Sequence, residues 1–472
     1  MGTTVRRPPA AKKRTTAAPA VHETVHFDVA WEEGKALREK VPRESHAEFK
    51  PAARRPDPVD LLVKSSEGRL EELLPIRYGR MMQTPFTFYR GAAAIMARDL
   101  STTPVSGIRV QACGDCHLVN FGGFATPERK VVFDINDFDE TLPAPWEWDV
   151  KRLAASFIVA GRNNGFKAKA SREAVLACVA SYRKRMAKYA AMRRLKVWYA
   201  TIDVEDVVAY SADVERRKIA RKQVEKAMSR SVAEDDFPKL TELKAGKPVI
   251  KDNPPLIYHT QEKDEGAFRS RIEEAFDAYR DTLADDRKAL LSQYTLLDIA
   301  AKVVGVGSVG TRCGVLLLMA GQNDPLFLQV KEARVSVLEP YAGKSQYKNR
   351  GQRVVEGQRL MQSGSDIFLG WTRTAGFDFY IRQLKDAKIK PLVETQTPEV
   401  MREYGELCGW ALARTHAKTG DAAQIAGYMG KSDVFDKAVA EFAVAYADQN
   451  ERDHKALVEA VGKGRIVARM DL

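Results

Sequence analysis

The chain has 472 residues, of which 44% are hydrophobic, 29% charged and 8% aromatic, and these values are typical of a soluble globular protein. This length leaves room for two or three lobes and excludes a small disulfide-stapled scaffold, wholesale disorder and a fibrous repeat. No apolar run reaches the roughly 18–20 residues that a transmembrane helix needs. We therefore expect no membrane span. The five cysteines are too scattered for a disulfide framework, which favours a cytoplasmic protein.

The net charge of +12 is concentrated in two segments. Residues 1–20 hold five basic and no acidic side chains and have no apolar signal region, so we predict a disordered basic tail over residues 1–40. Residues 183–230 hold fourteen basic and six acidic side chains. This segment either binds a polyanion weakly or is a solvated helix surface, and its few aromatic residues favour the solvated surface.

The predicted elements form a helical part, a β-rich part and a second helical part. The first part holds a helix over residues 87–100, strands over 106–112 and 130–135, helices over 149–160 and 170–232, strands and turns over 239–259, and a helix over 266–293. Over residues 303–333, Gly-rich turns alternate with short apolar runs, as in β-hairpins. A helix around Val354, strands over 366–371 and 377–384, and helices from Glu399 onward complete the chain.

One loop carries acidic and amide side chains at a spacing that suits phosphoryl transfer. Asp115 and Asn120 lie five residues apart, and Asp137 and Asp139 follow the next predicted strand. An aspartate on such a loop orients or deprotonates an attacking hydroxyl. Asn120 and Asp137, assisted by Asp139, offer the oxygen ligands that Mg²⁺ prefers. The alternative is that these side chains only satisfy backbone groups of the loop.

The same loop contains Cys113, Cys116 and His117, which match the Cys-x-x-Cys-His signature of c-type haem attachment. That interpretation requires export, for which the first twenty residues offer no signal. We therefore expect both cysteines to be buried and reduced.

A second pattern, Gly305-x-Gly307-x-x-Gly310 with Ser308 inside it, is typical of phosphate-binding loops. In a dinucleotide-binding fold a helix would follow at once, but residues 311–319 are a strand-like run rich in Val and Leu. The pattern therefore predicts a Gly-rich hairpin. Such a hairpin either covers nucleotide phosphates with its backbone N–H groups or is a plain twisted hairpin.

Lys331 favours the nucleotide interpretation over a solvated strand end. It follows the predicted strand 326–330, where a lysine can pair with the α- and β-phosphates. Such a lysine needs an acidic partner from the next helix. Glu356 is best placed, because Glu332 and Glu339 precede that helix.

Together these motifs resemble the working parts of the protein kinase-like superfamily, especially its aminoglycoside phosphotransferase branch, in rotated order. In that superfamily the Gly loop and strand lysine precede the catalytic loop and metal-binding aspartate. Here residues 114–139 precede residues 305–331. The resemblance implies a circular permutation, and residues 407–416 resemble the helix that leads into the catalytic loop.

Over residues 75–160 and 300–450 the sequence is also similar to a bacterial family known as domain of unknown function 2252 (DUF2252). Segments such as PFTFYRGAA, CGDCHLVNFG, NDFDETLPAPWEWDVKRLAAS and LFLQVKEA carry this similarity. The resemblance implies the following roles: catalytic aspartate Asp115, metal ligands Asn120 and Asp137, phosphate-binding Lys331, and a phosphate loop of Gly305, Gly307 and Gly310.

The resemblance also implies that Asp149 braces the catalytic loop. One departure is Cys113, which stands where such enzymes often have histidine. Arg90 and His416 are further candidates for contact with phosphate or substrate, although a helix-surface arginine and a packed histidine are commoner.

The expected fold class is α+β: a two-lobed kinase-like fold in circularly permuted order, with a β-rich nucleotide lobe and a larger, mainly helical lobe. The expected regions are the basic tail (1–40), a helical lobe with the catalytic loop and a charged insertion (41–294), the β-rich lobe (295–390) and helices completing the helical lobe (391–472).

The expected function is ATP- and Mg²⁺-dependent phosphoryl transfer to an unidentified hydroxyl of a small molecule or protein. A first alternative is a nucleotide-binding regulator without turnover, a pseudokinase. A second is a protein that binds nucleic acid or a phosphorylated partner through the basic helices.

Overall fold

The computed structural model describes residues 27–469 except 211–212, 230–231, 233–235, 260–264, 304, 322 and 385–387. The helices within them are α1 Phe27–Lys40, α2 Pro58–Ser66, α3 Leu74–Met82, α4 Pro85–Gly91, α5 Ala93–Leu100, α6 Trp146–Asn163, α7 Ala168–Ala190, α8 Arg194–Trp198, α9 Val204–Tyr210, α10 Val214–Met228, α11 Phe237–Leu240, α12 Glu265–Arg280, α13 Asp285–Leu291, α14 Glu339–Ala342, α15 Arg350–Met361, α16 Pro398–Thr419, α17 Ala422–Met429 and α18 Val434–Gly462. None of these helices combines the length and apolar character needed to cross a bilayer.

The strands are short except in one sheet, and the mixture of elements confirms the α+β class. They are β1 Arg109–Ala112, β2 Phe121–Ala125, β3 Val131–Ile135, β4 Leu142–Pro145, β5 Thr241–Lys244, β6 Lys247–Ile250, β7 Ile257–Tyr258, β8 Thr295–Lys302, β9 Cys313–Ala320, β10 Asp324–Ala333, β11 Gly370–Thr374 and β12 Phe377–Gln383.

Six strands form an antiparallel sheet in the order β11-β12-β10-β9-β8-β7, which confirms the predicted hairpin of β9 and β10. Side chains alternate between its faces, since successive residues of a strand point to opposite sides. Leu316 packs with residues of α12 and α13 on one face, while Leu317 and Phe327 pack on the other. Gln329 and Lys331 share the face of Phe327, so the predicted lysine projects from that side of β10.

The helical part is built from both ends of the chain. Helix α16 packs along α7, and α18 packs on α6, within one large hydrophobic core. Helix α1 packs on α17, and Gly34 lies so close to it that an added Cβ would stand 2.0 Å from the Gln424 carbonyl oxygen. The prediction of a disordered tail through residue 40 is therefore wrong for residues 27–40, and residues 1–26 lie outside the described residues.

Two nested strand pairs bring the acidic loops together. β1 pairs antiparallel with β4, and β2 pairs antiparallel with β3. The loop over residues 113–120 joins β1 to β2, and the loop over residues 136–141 joins β3 to β4. Because both loops run from one strand pair to the other, they lie side by side.

The contact of α16 with α7 depends on small residues. A Cβ at Gly409 would stand 2.1 Å from the carbonyl oxygen of Cys178, so Gly409→Ala should lower the free energy of unfolding by about 1–3 kcal/mol. At Gly462, near the end of α18, an added Cβ meets nothing within 4 Å, and Gly462→Ala should be neutral or stabilising by up to about 1 kcal/mol. Urea unfolding checks both variants, and equal stabilities would contradict this packing.

Candidate functional site

A cleft of about 2160 Å³ is lined by the two loops over 113–120 and 136–141, the Gly-rich turn before β9, the end of β10, and α4. The residues predicted from sequence that line it are Arg90, Asp115, Asn120, Asp137, Asp139, Gly305, Gly307, Ser308 and Lys331. Gly310 and Glu356 are not among the lining residues. Side chains from distant parts of the sequence thus meet in one cleft.

Asp115 is held by an arginine of α6. Arg152 donates to Oδ1 of Asp115 from Nε, at 2.7 Å, and also from Nη2. Oδ2 has no hydrogen bond with the described residues, and 21% of the side chain is exposed, so this oxygen is open to the cleft. Burial raises the pKa of Asp115, although Arg152 acts against that rise. Sequence reasoning missed Arg152. Arg152 lies one helical turn after Asp149 and therefore on the same face of α6, so the predicted role of Asp149 could have indicated it.

Asp149 braces the loop that carries Asp115. Its carboxylate accepts the backbone N–H groups of Cys113, at 2.6 Å, and Gly114, at 3.0 Å. His416 Nε2 lies 3.2 Å from the same carboxylate, and its Nδ1 bonds to the Tyr182 hydroxyl at 2.8 Å. Because His416 is fully buried, it positions Asp149 instead of touching a ligand.

Asn120 and Asp137 lie at adjacent ends of β2 and β3, where the N–H of Asn136 donates to the Asn120 carbonyl at 2.8 Å. The Asn120 amide Nδ2 donates to the Asp115 carbonyl at 2.9 Å, and no described residue donates to Oδ1 of Asn120. Among the described residues, the carboxylate of Asp137 accepts only the N–H of Asp139, at 3.2 Å. Burial and the like charge of Asp139 raise the pKa of Asp137.

No three His, Cys, Asp or Glu side chains in the described part of the chain are grouped as a ready-made metal site. Asn120 and Asp137 together offer few protein ligands. A Mg²⁺ ion at this place would therefore need further oxygen ligands from phosphate or water.

Lys331 forms a buried ion pair in the cleft. Its Nζ lies 2.7 Å from Oδ2 of Asp139, whose Oδ1 accepts the Tyr380 hydroxyl at 2.5 Å. Lys331 and Tyr380 are register partners on β10 and β12, so the sheet fixes both donors. Burial lowers the pKa of Lys331, but Asp139 and Tyr380 outweigh burial and raise it well above its ordinary value. The ammonium therefore stays charged.

The prediction that Glu356 holds Lys331 is wrong. Glu356 pairs with Arg359 at 3.2 Å on its own helix, and Asp139 takes the predicted role because its loop reaches the sheet. Ser308 Oγ also lies 3.3 Å from Oδ2 of Asp139. Both oxygens of Asp139 are thus engaged by protein groups, which argues against its predicted assistance at the metal.

A side chain of helix α15 holds the acidic loop over residues 136–141 by bonding to backbone carbonyl groups of that loop. Arg353 donates to the carbonyl oxygens of Thr141, at 2.7 Å, Asp139, at 2.8 Å, and Arg334, at 2.9 Å. It therefore ties the loop to the end of β10. The sequence gives no motif for this role.

The Gly-rich turn contains glycines of two kinds. Gly310 has a φ of +83° and accepts the N–H of Leu70 at 2.7 Å, so its backbone conformation favours glycine. A Cβ at Gly305 would meet nothing within 4 Å, and one at Gly307 would meet only the Arg90 carbonyl oxygen, at 3.7 Å. Packing within the protein therefore does not require glycine at positions 305 and 307.

A strap over residues 388–392 lines part of the cleft and places Lys388 in it beside Arg382. Ile389 bonds to β2 through both of its backbone groups, at 2.8 and 2.9 Å from those of Gly123. Lys388 is exposed, and repulsion from Arg382 lowers its pKa to about 7. Sequence reasoning missed Arg382 and Lys388. The sequence indicates the strap only through the Gly122-Gly123 pair, where an added Cβ would collide with Ile389.

The cysteines of the loop are free and buried, as predicted. The Cys113 thiol donates to the Asp137 carbonyl at 3.4 Å, and burial raises the pKa of Cys116 well above its ordinary value. His117 is only 4% exposed. The motif therefore presents no accessible cysteine pair for covalent haem attachment.

Part of the basic segment is neutralised within the protein. Arg183 pairs with Asp436 at 2.7 Å, and Arg216 pairs with Glu403 at 3.3 Å. These pairs reduce the charge offered to a partner. Polyanion binding by residues 183–230 stays a prediction.

The family model described as "Uncharacterized protein conserved in bacteria (DUF2252)" matches residues 69–460. The chain belongs to this family. Comparisons with the curated proteins and with the solved structures gave no match. The segment matched to DUF2252 contains both acidic loops, the Gly-rich turn and Lys331, while residues of α2 and the turn after it, which precede the match, also line the cleft.

Proposed function

We propose that this protein is an ATP- and Mg²⁺-dependent phosphotransferase with a kinase-like, two-lobed fold in circularly permuted order. One observation carries the proposal. The buried pair of Lys331 with Asp139, the Gly-rich turn, and the loop with Asp115 and Asn120 line a single cleft. Phosphoryl transfer needs these elements together, because its catalysis is mainly positioning and charge stabilisation.

The order of elements in the sheet supports the kinase-like part of the proposal. The Gly-rich turn joins β8 to β9, Lys331 lies on β10, and helix α15 follows. Kinases carry their Gly loop, strand lysine and next helix in this order. The acidic loops precede the sheet in sequence, and both chain ends pack in one helical core, which suits a permuted connection.

Lys331 and the backbone N–H groups of the Gly-rich turn would bind the nucleotide phosphates. Asp139, itself fixed by the Tyr380 hydroxyl, holds the ammonium in place, so little side-chain entropy is lost on binding. The open space at Gly305 and Gly307 lets phosphate oxygens approach the backbone closely.

The donor set fits Mg²⁺. Asn120 Oδ1 and a carboxylate oxygen of Asp137 are hard ligands not engaged by the described residues, and these two residues would hold the ion. When bound, Mg²⁺ would neutralise part of the phosphate charge.

Asp115 would act on the acceptor hydroxyl through its open Oδ2. As the acceptor oxygen bonds to the γ-phosphorus, the bond from that phosphorus to the β–γ bridging oxygen breaks, ADP leaves, and Asp115 takes the hydroxyl proton. Arg152 fixes the other oxygen. The raised pKa of Asp115 makes the carboxylate a stronger base.

Nucleotide-dependent stability tests the proposal. Mg·ATP at about 100 times its Kd should raise the free energy of unfolding of the wild type by about 2.7 kcal/mol. Each variant is measured with and without Mg·ATP, and Lys331→Met and Asp137→Asn should lose this increment. Lys437→Met, at an exposed pair on α18, should keep it.

Two results would overturn the proposal. One is the absence of stabilisation by any nucleoside triphosphate. The other is stabilisation without formation of ADP under any condition, which would indicate a nucleotide-binding regulator.

A further inference from the structure

Buried polar atoms without hydrogen-bond partners among the described residues belong to side chains that line the cleft. They include Nε of Arg90, Nδ1 of His117 and Oε1 of Gln396. Buried polar groups in native proteins are normally paired. These three residues keep unused hydrogen-bonding capacity in the cleft wall, and phosphate binding by Lys331 does not account for it.

Arg90 is the strongest of these groups. Its guanidinium forms no hydrogen bond or ion pair with the described residues, and its Cζ stands 6.0 Å from the centroid of the Phe86 ring. A half-buried charge without a partner is unfavourable. The protein retains it at the end of α4, where an anion would pair with it.

The position of Arg90 links it to the transfer site. Its carbonyl oxygen approaches the Gly-rich turn at Gly307. Burial lowers the pKa of Arg90, whereas the negative charges of Glu394 and, less strongly, Asp115 act in the opposite direction without forming an ion pair with it. Burial and the nearby charges of Arg152 and Arg90 lower the pKa of His117 well below its ordinary value. Arg90, His117 and Asp115 therefore lie within electrostatic range of one another.

Other arginines of the cleft strengthen its positive field. Arg69 donates to the carbonyls of Val309 and Ser65, and Arg77 to the Gly91 carbonyl and the Met81 sulfur. Neither forms an ion pair with a carboxylate among the described residues. The charge on this wall is thus only partly neutralised from within the protein.

We propose that Arg90 and His117 bind an anionic group, a phosphate or a carboxylate, carried by the acceptor near the hydroxyl that is phosphorylated. The proposal rests on the proposed phosphotransferase function and names its substrate class. Arg90 supplies the charge and a planar pair of donors. His117, whose Nδ1 has no hydrogen-bond partner among the described residues, adds one hydrogen bond.

Binding of inorganic phosphate tests this site. The full chain is saturated with Mg·AMP-PNP, which fills the γ-phosphate position, and phosphate is added at constant ionic strength in equilibrium dialysis, with acetate in a parallel competition. We expect one saturable site. Arg90→Gln should weaken phosphate binding at least tenfold and change Mg·AMP-PNP affinity less than threefold. Arg162→Gln, at an exposed ion pair of α6, should match the wild type.

Equal phosphate affinity in wild type and Arg90→Gln would overturn the proposal. So would binding that occurs with Mg·ADP but not with Mg·AMP-PNP, since the anion would then occupy the γ-phosphate position. If Mg·AMP-PNP itself does not bind, the phosphotransferase proposal fails. Phosphate titration of the nucleotide-free wild type and Arg90→Gln then decides separately whether the anion site exists.

Discussion

Asp115→Asn should lower the rate of ADP formation from Mg·ATP by about 10²- to 10⁴-fold, because it removes a general base whose contribution is of that size. Asparagine keeps an oxygen in the place of Oδ1, so it still accepts the two bonds from Arg152. The loop should therefore stay in place. Mg·ATP affinity, measured by titration calorimetry, should change less than threefold.

A matched control makes the same chemical change at the surface. Asp448→Asn alters a half-exposed carboxylate paired with Arg162 and should leave the rate unchanged. If Asp115→Asn retains the full rate, the carboxylate is not the base. If Mg·ATP affinity falls with the rate, Asp115 acts in nucleotide binding instead.

Asp134→Ala should lower the free energy of unfolding by about 3–5 kcal/mol, because it leaves an uncompensated buried charge. Asp134 and Arg414 are both fully buried, and Nη2 of Arg414 lies 2.7 and 2.8 Å from the carboxylate oxygens. The same carboxylate accepts the N–H and the hydroxyl of Ser363, each at 2.9 Å. This pair joins α16 to β3 and to the segment after α15, behind the acidic loop.

Two comparisons give this prediction its control. Asp448→Ala removes the partner of an exposed arginine and should cost about 0–1 kcal/mol. The double variant Asp134→Val with Arg414→Met removes both buried charges and should be more stable than Asp134→Ala alone. Guanidinium unfolding measures all three. A loss below 1 kcal/mol in Asp134→Ala would contradict the burial of this pair.

Local patterns predict much of the sheet and of the acidic loops. Alternating apolar residues and Gly-rich turns predict the hairpin of β9 and β10, and they place Lys331 on its strand. The five-residue spacing of Asp115 and Asn120 predicts two side chains on one loop, and the following strand brings Asp137 beside them. These features depend on residues close in sequence, where periodicity and turn chemistry act.

The partners of these residues depend on long-range packing, which no local pattern encodes. Lys331 pairs with Asp139 because β10 lies against β12 and the loop after β3 reaches the sheet. Chain order alone predicts Glu356 as the acidic partner of Lys331. The unpaired state of Arg90 is equally a property of the assembled cleft, since the sequence shows only an arginine in a helix.

The packing of α1 and α2 bears on where the folded unit ends. Both helices precede residue 69, where the family match begins. Helix α1 nonetheless covers α17, and Val59 and Leu62 of α2 are buried with Leu457 of α18. A recombinant chain trimmed to the family boundaries would expose these apolar surfaces to water and would be prone to aggregation. Expression designs should therefore start before residue 27.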